Sequence, residues 1–399
     1  MESVAGRAAS WTGPALFSVG FRPCFVFGAR WAALAMGVWI AKLSGAAAPP
    51  IRIDPVSWHA HEFLFGYLGA AIAGFVLTAT PTWTKRAPIA GPLLIGLFGL
   101  WLLGRVAMAT SAWWPVAAVL AIDLAFPIAI AGVMAREIIS ARFWRGAPLI
   151  VLLTVFVIAN ARFHIEAIAG DYAASGYGIR AGLAVTLMLI AMIGGKTIPT
   201  FTRNWLRQRG DTVEPPEPMR PYDIAAIIAL LASLLGWVFA PDAEATFWML
   251  GAAGALHMIR LARWRGDRAL REPLLWALHL GYAFLPLGAL VAASGLWFDA
   301  VFVGAAAQHL WMAGGIGLMT LAIMTRVSRG HSGRPLTADG FTTALYVAIV
   351  LSVAARFAAG LWADAQDALY ALSAAAWIFA FAGFAARHAP MAWRPRVAP

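Results

Sequence analysis

Residues 55–66 read PVSWHAHEFLFG and place reactive side chains at the start of a long apolar run. His59, His61 and Glu62 are costly to bring into lipid. Intramembrane imidazoles commonly ligate haem or metal, relay protons, or pair with other buried polar groups. His59 and His61 are about 200° apart on an α-helix, so they face one site only if the helix begins near residue 60. His59 and Glu62 share a helical face, which suits a metal ligand with a carboxylate acceptor, or a proton-delivery pair.

The composition indicates a membrane protein. Of 399 residues, 61% are hydrophobic and only 12% are charged, and the mean hydropathy is +0.74. A soluble domain carries about twice that charged fraction. About twelve apolar stretches approach the roughly 20 residues that a spanning helix needs. They lie near 24–43, 61–80, 91–109, 115–135, 147–168, 178–200, 222–240, 245–262, 273–295, 300–325, 339–361 and 366–386. The sequence therefore predicts an all-α, polytopic transmembrane bundle of about twelve helices.

Charged residues alternate between the connecting segments, with basic side chains after every second stretch and mainly acidic ones in the opposite loops. By the positive-inside rule, both termini are cytoplasmic. The formal net charge of +11 then reflects topology, and nucleic acid is not an expected partner. The polar linker 207–220 divides a single transmembrane domain, 1–399, into the halves 1–206 and 221–399.

The histidines can be ordered by their depth in this topology. Outside the tail, four lie in the outer half of the bilayer and three lie towards the cytoplasm. The outer group is His59, His61, His164 and His309, with Asn160 nearby, and the inner group is His257, His279 and His331. Four imidazoles at one level favour a haem or metal site over isolated structural histidines. The single cysteine, Cys24, leaves no CxxCH attachment motif, so a haem would be held non-covalently.

Other residues narrow the chemistry further. No Walker A, HExxH or GxSxG motif occurs, which argues against phosphate-transfer and hydrolase functions. Four arginines towards the outer ends of predicted helices either bind haem propionates or pair with local acids. They are Arg105, Arg162, Arg180 and Arg356.

Seven segments in a fixed order carry a family resemblance. They are FSVGFRPCF (17–25), WHAHEFLFGYLGAAIAGFVLTATPTWT (58–84), LWLLGR (100–105), ANARFHIEAIAG (159–170), GGKTIPTFTRNWL (194–206), LLWALHLGYAFLPLG (274–288) and HLWMAGGIGLMTLAIMTRVSRGHSGRP (309–335). The chain resembles the NnrS family of integral membrane proteins of the bacterial nitric-oxide response. The resemblance implies a twelve-span protein of the bacterial inner membrane with non-covalent haem b, and with copper or a second metal.

Carried onto this chain, the resemblance predicts a role in nitric-oxide detoxification, most concretely reduction of nitric oxide to nitrous oxide. The predicted cofactor-binding residues are His59, His61, His164, His279, His309, His331 and Arg162. Of these, His59, His61 and His309 are also candidate ligands of a separate metal ion. Glu62 is the predicted proton donor, and a membrane quinol is the predicted electron donor.

Two other functions stay open from the sequence. One is a non-catalytic haem or copper protein that binds or senses nitric oxide and protects iron pools. The other is a twelve-span transporter with a histidine relay, because two halves of six spans are a common transporter plan. A Soret absorption band distinguishes the haem proteins from the transporter, and turnover of nitric oxide distinguishes the enzyme from the binding protein.

Overall fold

The computed structural model describes residues 11–46, 49–298 and 300–396, apart from the side chains of 300–303, and this part of the chain is helical and contains no strand. Eleven helices there are long and apolar enough to cross a membrane. A twelfth, Glu244–Ala262, is less apolar because it carries Glu244, His257 and Arg260. The predicted polytopic all-α fold is confirmed, and each predicted stretch overlaps one helix.

We number the helices in chain order. They are α1 Phe21–Leu43, α2 Pro55–Thr84, α3 Pro92–Ala109, α4 Val116–Ser140, α5 Trp144–Ala169, α6 Tyr177–Gln208, α7 Pro221–Phe239, α8 Glu244–Ala262, α9 Pro273–Leu296, α10 Gly304–His331, α11 Gly340–Leu361 and α12 Ala363–Trp393.

Helix α2 begins earlier than the sequence suggested. Pro55 occupies the first turn, where its missing N–H costs nothing. Asp54 caps the helix, because its Oδ1 accepts a hydrogen bond from the Ser57 backbone N–H at 2.9 Å. His59 and His61 therefore both lie inside the helix, where their side chains point in different directions.

Three helices contain a π-helical segment. These segments are Glu62–Tyr67 in α2, Ile190–Gly194 in α6 and Leu310–Leu318 in α10. A π-helix bonds residue i to i+5, is rare, and occurs frequently at functional sites. Two of the three segments directly follow a histidine, His61 or His309.

The chain forms two compact units. Unit 1 comprises Met1–Gly182, Met324–Pro335 and Phe381–Pro399, and unit 2 comprises Leu183–Ile323 and Leu336–Ala380. The predicted halves on either side of the 207–220 linker, and the cytoplasmic placement of the termini, stay predictions.

The 207–220 linker is held by ion pairs within unit 2. Arg207 Nη2 donates to Glu214 Oε2 at 2.8 Å, and Arg203 pairs with Glu217 at 2.9 Å. The hydrogen bond from Arg207 lowers the pKa of Glu214, which lies outside the spanning helices.

Candidate functional site

Six polar side chains meet inside unit 1, and none is more than 6% exposed. They come from four helices: α2, α3, α4 and α5. We call this set the unit-1 cluster: His61, Glu62, Arg105, Asp123, Asn160 and His164. Buried polar groups of this number are costly unless they are paired, so their mutual contacts decide what the cluster can do.

Two imidazoles converge on one carboxylate oxygen. Asp123 Oδ2 lies 3.1 Å from His61 Nε2 and 3.1 Å from His164 Nε2. Asn160 Nδ2 donates to the same oxygen at 2.8 Å. The three possible ligand atoms, one each from His61, Asp123 and His164, all lie within 4.8 Å of one another. This spacing can place a single ion in contact with all three.

Glu62 is surrounded by hydrogen-bond donors. Arg105 donates to both Glu62 carboxylate oxygens and also pairs with Asp123. Trp31 Nε1 donates to Glu62 Oε2 at 2.7 Å, and His61 Nδ1 lies 2.9 Å from Glu62 Oε1. These contacts fix the position of both Glu62 oxygens inside the cluster.

The π-helical segment of α2 helps to create this arrangement. It begins at Glu62, directly after His61, and both side chains enter the cluster although they are neighbours in sequence. Gly66 belongs to the same segment, and a Cβ atom there would overlap the Arg105 guanidinium. A larger residue at this position would push Arg105 away from Glu62.

The cluster carries surplus negative charge. Glu62 and Asp123 contribute two negative charges, and Arg105 contributes one positive charge. Both nitrogens of His61 face oxygen acceptors, namely Glu62 Oε1, Asp123 Oδ2 and Asn160 Oδ1. An uncompensated charge in a buried site is unfavourable. Either a second proton on His61 or a bound cation at its Nε2 supplies the missing positive charge.

The donor set fits an ion better than a haem. Two imidazole nitrogens and one carboxylate oxygen are ligands that zinc and ferrous iron take. An axial haem ligand needs an open nitrogen beside a flat space. The His61 ring is fully buried, and other rings leave no flat space beside it: its centroid lies 4.9 Å from Phe163, 5.3 Å from Phe65 and 5.3 Å from His164.

Among the predicted site residues, the structure brings His61, Glu62 and His164 together in unit 1. His59 is turned to a different environment, with its ring stacked on Trp39 at 4.6 Å between centroids and tilted against Phe63. The outcome follows from the early start of α2, which keeps His59 and His61 on different helical faces.

The remaining predicted residues lie in separate places. Within unit 1, His331 contacts the Phe21 ring, and Arg162 donates to Glu166 Oε1 at 2.9 Å. Within unit 2, His279 Nε2 lies 2.9 Å from Thr202 Oγ1. His309, also in unit 2, has its Nδ1 2.7 Å from the Ala305 carbonyl oxygen.

Sequence reasoning missed Asp123. It is the only charged residue within the apolar stretch 115–135, and a carboxylate at that depth is a recognised sign of a functional site. The depth argument from the sequence covered the histidines and left out this isolated carboxylate. Arg105 was considered, and of its two predicted roles the structure shows pairing with acids.

Unit 2 contains a second buried set of polar side chains. We call it the unit-2 network: Asp223, His257, Arg260 and Tyr282. Arg260 donates to Asp223 Oδ1 at 2.7 Å, to the Tyr282 hydroxyl at 2.9 Å and to the Ala191 carbonyl at 2.8 Å. His257 lies between the Tyr282 hydroxyl at 2.7 Å and the Ala226 carbonyl at 3.0 Å. One acid and one arginine make this network neutral.

Comparison with known proteins gives one family. A family model described as NnrS protein matches residues 15–396, nearly the whole chain. No curated protein matches the sequence.

Proposed function

Because the chain belongs to the NnrS family, whose members are membrane proteins of the nitric-oxide response, we propose that it detoxifies nitric oxide by reducing it to nitrous oxide at the unit-1 cluster. The observation that carries this proposal is the convergence of His61 and His164 on Asp123 Oδ2 in a buried, negatively charged site. A transition-metal ion held by these atoms would supply an open position for nitric oxide and a path for electrons.

The proposed reaction balances with a membrane quinol as reductant. One quinol gives two electrons and two protons and becomes a quinone. Two nitric-oxide molecules accept them, an N–N bond forms, one N–O bond breaks, and the released oxygen leaves as water. Nitric oxide is small and uncharged, so it reaches a site within the bilayer without a polar channel. The protein is proposed to act in the bacterial inner membrane with both termini cytoplasmic.

The residues of the cluster have separate tasks in this proposal. Glu62 accepts a hydrogen bond from His61 Nδ1–H and leaves the Nε2 lone pair for an ion. Arg105 holds the Glu62 and Asp123 carboxylates in place. The rings of Phe65 and Phe163 cover the His61 imidazole and exclude water. We assign Glu62 this positioning task in place of proton donation, because both its oxygens are already held by Arg105, and Trp31 donates to one of them.

Haem b is proposed at His309 in unit 2. Donation from His309 Nδ1–H to the Ala305 carbonyl fixes the ring and leaves Nε2 as the ligand atom, an arrangement common among metal-bound histidines. Arg356, on α11 of the same unit, stacks on Tyr370 and forms no ion pair among the described residues, so it is available to a propionate. A haem there would supply a one-electron redox group.

The proposal is tested with the protein purified into lipid nanodiscs and kept without oxygen. With a reduced quinol analogue, we expect steady nitric-oxide consumption on an electrode and nitrous oxide by gas chromatography, one molecule for every two consumed. His61→Gln should abolish both signals. His388→Gln is the matched control, because His388 is a buried histidine of unit 1 outside the cluster.

Two results would contradict the proposal in different ways. Reversible spectral changes with nitric oxide but no nitrous oxide would identify a binding or sensing protein. A colourless protein without metal that does not respond to nitric oxide would favour the transporter.

A further inference from the structure

We propose that the unit-1 cluster is a mononuclear non-haem iron site, in which His61 Nε2, His164 Nε2 and Asp123 Oδ2 hold ferrous iron and Glu62 orients His61. The proposal deepens the proposed function, on which its choice of a redox-active metal rests. The position of the site rests on the contacts alone.

The spacing of the donor atoms suits one octahedral ion. Ligand atoms about 2.1 Å from an ion and at right angles to each other stand about 3 Å apart. The observed separations of Asp123 Oδ2 from His61 Nε2 and from His164 Nε2 are both 3.1 Å. The two imidazoles meet at 68° with centroids 5.3 Å apart, so they approach the oxygen from different directions. All three ligand atoms lie within 4.8 Å of one another, so one ion can contact them once it replaces the hydrogen bonds from His61 and His164 to Asp123.

The type of donor narrows the choice of metal. Two histidines and one carboxylate with open positions form the set that non-haem ferrous enzymes use. Cuprous copper favours thiolate and thioether sulfur, and none of the three donors is a sulfur atom. Zinc accepts the same donors, but it has no redox chemistry and does not serve nitric-oxide reduction.

The surrounding residues support metal ligation by His61. A ligating histidine usually donates its other ring N–H to a carboxylate or carbonyl oxygen, which fixes its tautomer. Glu62 Oε1 is that acceptor, 2.9 Å from His61 Nδ1. Glu62 is fixed in turn by Trp31 and Arg105, and Asp123 by Asn160 and Arg105. Two of the three proposed ligands, His61 and Asp123, are thus fixed in position before an ion binds.

The charge of the cluster also suits a divalent ion. Neutral histidines leave the site with one surplus negative charge, as described above. A ferrous ion changes this to one positive charge, which favours the uptake of an electron into a site of low polarity. Surplus negative charge would oppose that uptake.

The experiment loads the full-length protein with each metal separately. Protein in nanodiscs is stripped with a chelator, incubated without oxygen with ferrous, cuprous or zinc ions, and desalted, and bound metal is counted by mass spectrometry. Nitric oxide is then added, and electron paramagnetic resonance is recorded. We expect one iron per chain beyond any haem iron, and the high-spin signal of a non-haem ferrous nitrosyl, which differs from the low-spin signal of a haem nitrosyl.

Two variants connect that signal to the cluster. Asp123→Asn and His164→Gln should each remove the extra iron and the high-spin signal, whereas His388→Gln should keep both. Loss of the signal in His388→Gln as well would show a general effect of substitution. The iron count of the wild-type protein would then decide whether the chain binds the extra iron. Copper or zinc retained in preference to iron, or no high-spin signal in the wild-type protein, overturns the proposal.

The same samples separate this inference from the proposed function. An iron nitrosyl without nitrous oxide would leave the iron site standing and end the reductase proposal. Nitrous oxide produced by protein without non-haem iron would support the reductase proposal and end the iron-site proposal.

Discussion

The unit-1 cluster and the unit-2 network each bury an arginine, but they balance its charge differently. In unit 2, Arg260 faces one acid, Asp223, and each nitrogen of His257 has a complementary partner if Tyr282 donates to Nδ1 and Nε2–H donates to a carbonyl. In unit 1, Arg105 faces two acids, and His61 has oxygen acceptors at both nitrogens. The acid and the arginine of the unit-2 network cancel in charge, whereas the unit-1 cluster is neutral only with a second proton on His61 or with a bound cation.

This difference is the reason that we propose an ion site in unit 1 and a structural role for the network in unit 2. Both are buried, and both lie beside a π-helical segment, since Arg260 donates to Ala191 and a Cβ atom at Gly66 would overlap Arg105. Burial and backbone irregularity therefore do not distinguish them. The sum of the buried charges does, because only the unit-1 cluster, with neutral histidines, keeps a negative charge that either a bound cation or a second proton on His61 balances.

The largest effect is expected from Asp123→Asn. The change replaces the carboxylate on which both imidazoles converge with a neutral carboxamide and eliminates the surplus negative charge. Metal binding should weaken by more than the roughly 10- to 100-fold that loss of an outer partner costs. Metal analysis after dialysis measures it. Full metal content in this variant would show that the cluster is a structural network like that of unit 2.

The converse is expected from Arg260→Met in unit 2. Asp223 would keep its buried charge without a partner, so the variant should unfold about 3 kcal/mol more easily, at unchanged metal content per folded chain. Thermal unfolding in detergent with metal analysis checks both. The double variant Arg260→Met, Asp223→Leu removes both charges and should recover most of the stability. Loss of metal in either variant would contradict the division of roles.

Glu62→Gln tests the positioning role and should have an intermediate effect. The amide keeps the shape of the carboxylate but loses its charge and the strength of its bond to His61. Metal affinity should fall roughly 10- to 100-fold, as for other outer partners of ligating histidines. A metal-binding titration measures the change. Unaltered affinity with slower turnover would instead support the proton-donor role predicted from sequence.

Two glycine substitutions compare the packing of the arginines. An alanine at Gly66 or at Gly195 would overlap the guanidinium of Arg105 or Arg260, respectively. Each should destabilise its unit by about 1 to 2 kcal/mol, and only Gly66→Ala should lower metal content. Gly96→Ala is the control, because a Cβ atom there meets nothing within 4 Å. Equal metal loss in Gly66→Ala and Gly195→Ala would show that metal binding does not depend specifically on the position of Arg105.

The smallest effect is expected at the exposed ion pair Arg207–Glu214, which serves as a reference for the buried ion pair Arg260–Asp223. The bond from Arg207 lowers the pKa of Glu214, so its stabilisation exists at neutral pH and is lost as the pH falls through that pKa. Glu214→Gln should lower the unfolding midpoint only slightly, because exposed pairs contribute little. The difference from wild type should vanish in acid. A loss of stability as large as that in Arg260→Met would show that solvent exposure does not determine how much each ion pair contributes.

Several features were predictable because they depend on local composition. Stretches of about 20 apolar residues must cross the membrane as helices, and these gave the polytopic all-α fold. Helix geometry puts His59 and His61 about 200° apart, but the sequence still left both as candidate ligands of one metal ion, and the start of α2 at Pro55 was needed to place them in different surroundings. The depth of His164 correctly placed it near the level of His61, where the two rings meet.

Other features depend on which helices touch, and depth alone does not reveal that. His309 lies at a similar predicted depth to His61 but belongs to unit 2, and His59 faces Trp39. Asp123 enters the cluster because α4 presents it to residues of α2, α3 and α5. His61 is 62 residues from Asp123 and 99 residues from Asn160 in the sequence. The sequence alone therefore does not reveal that these side chains touch.

The sequence by itself determined that this protein is a multi-pass membrane protein and that its polar residues within the apolar stretches are few, which made them the candidates for a functional site. Hydropathy is a property of short segments, and lipid penalises every exposed polar group alike. Only the tertiary structure decided which charges share one buried space. That choice depends on contacts between distant helices, and it gives the unit-1 cluster two acids for one arginine and the unit-2 network one acid for one arginine.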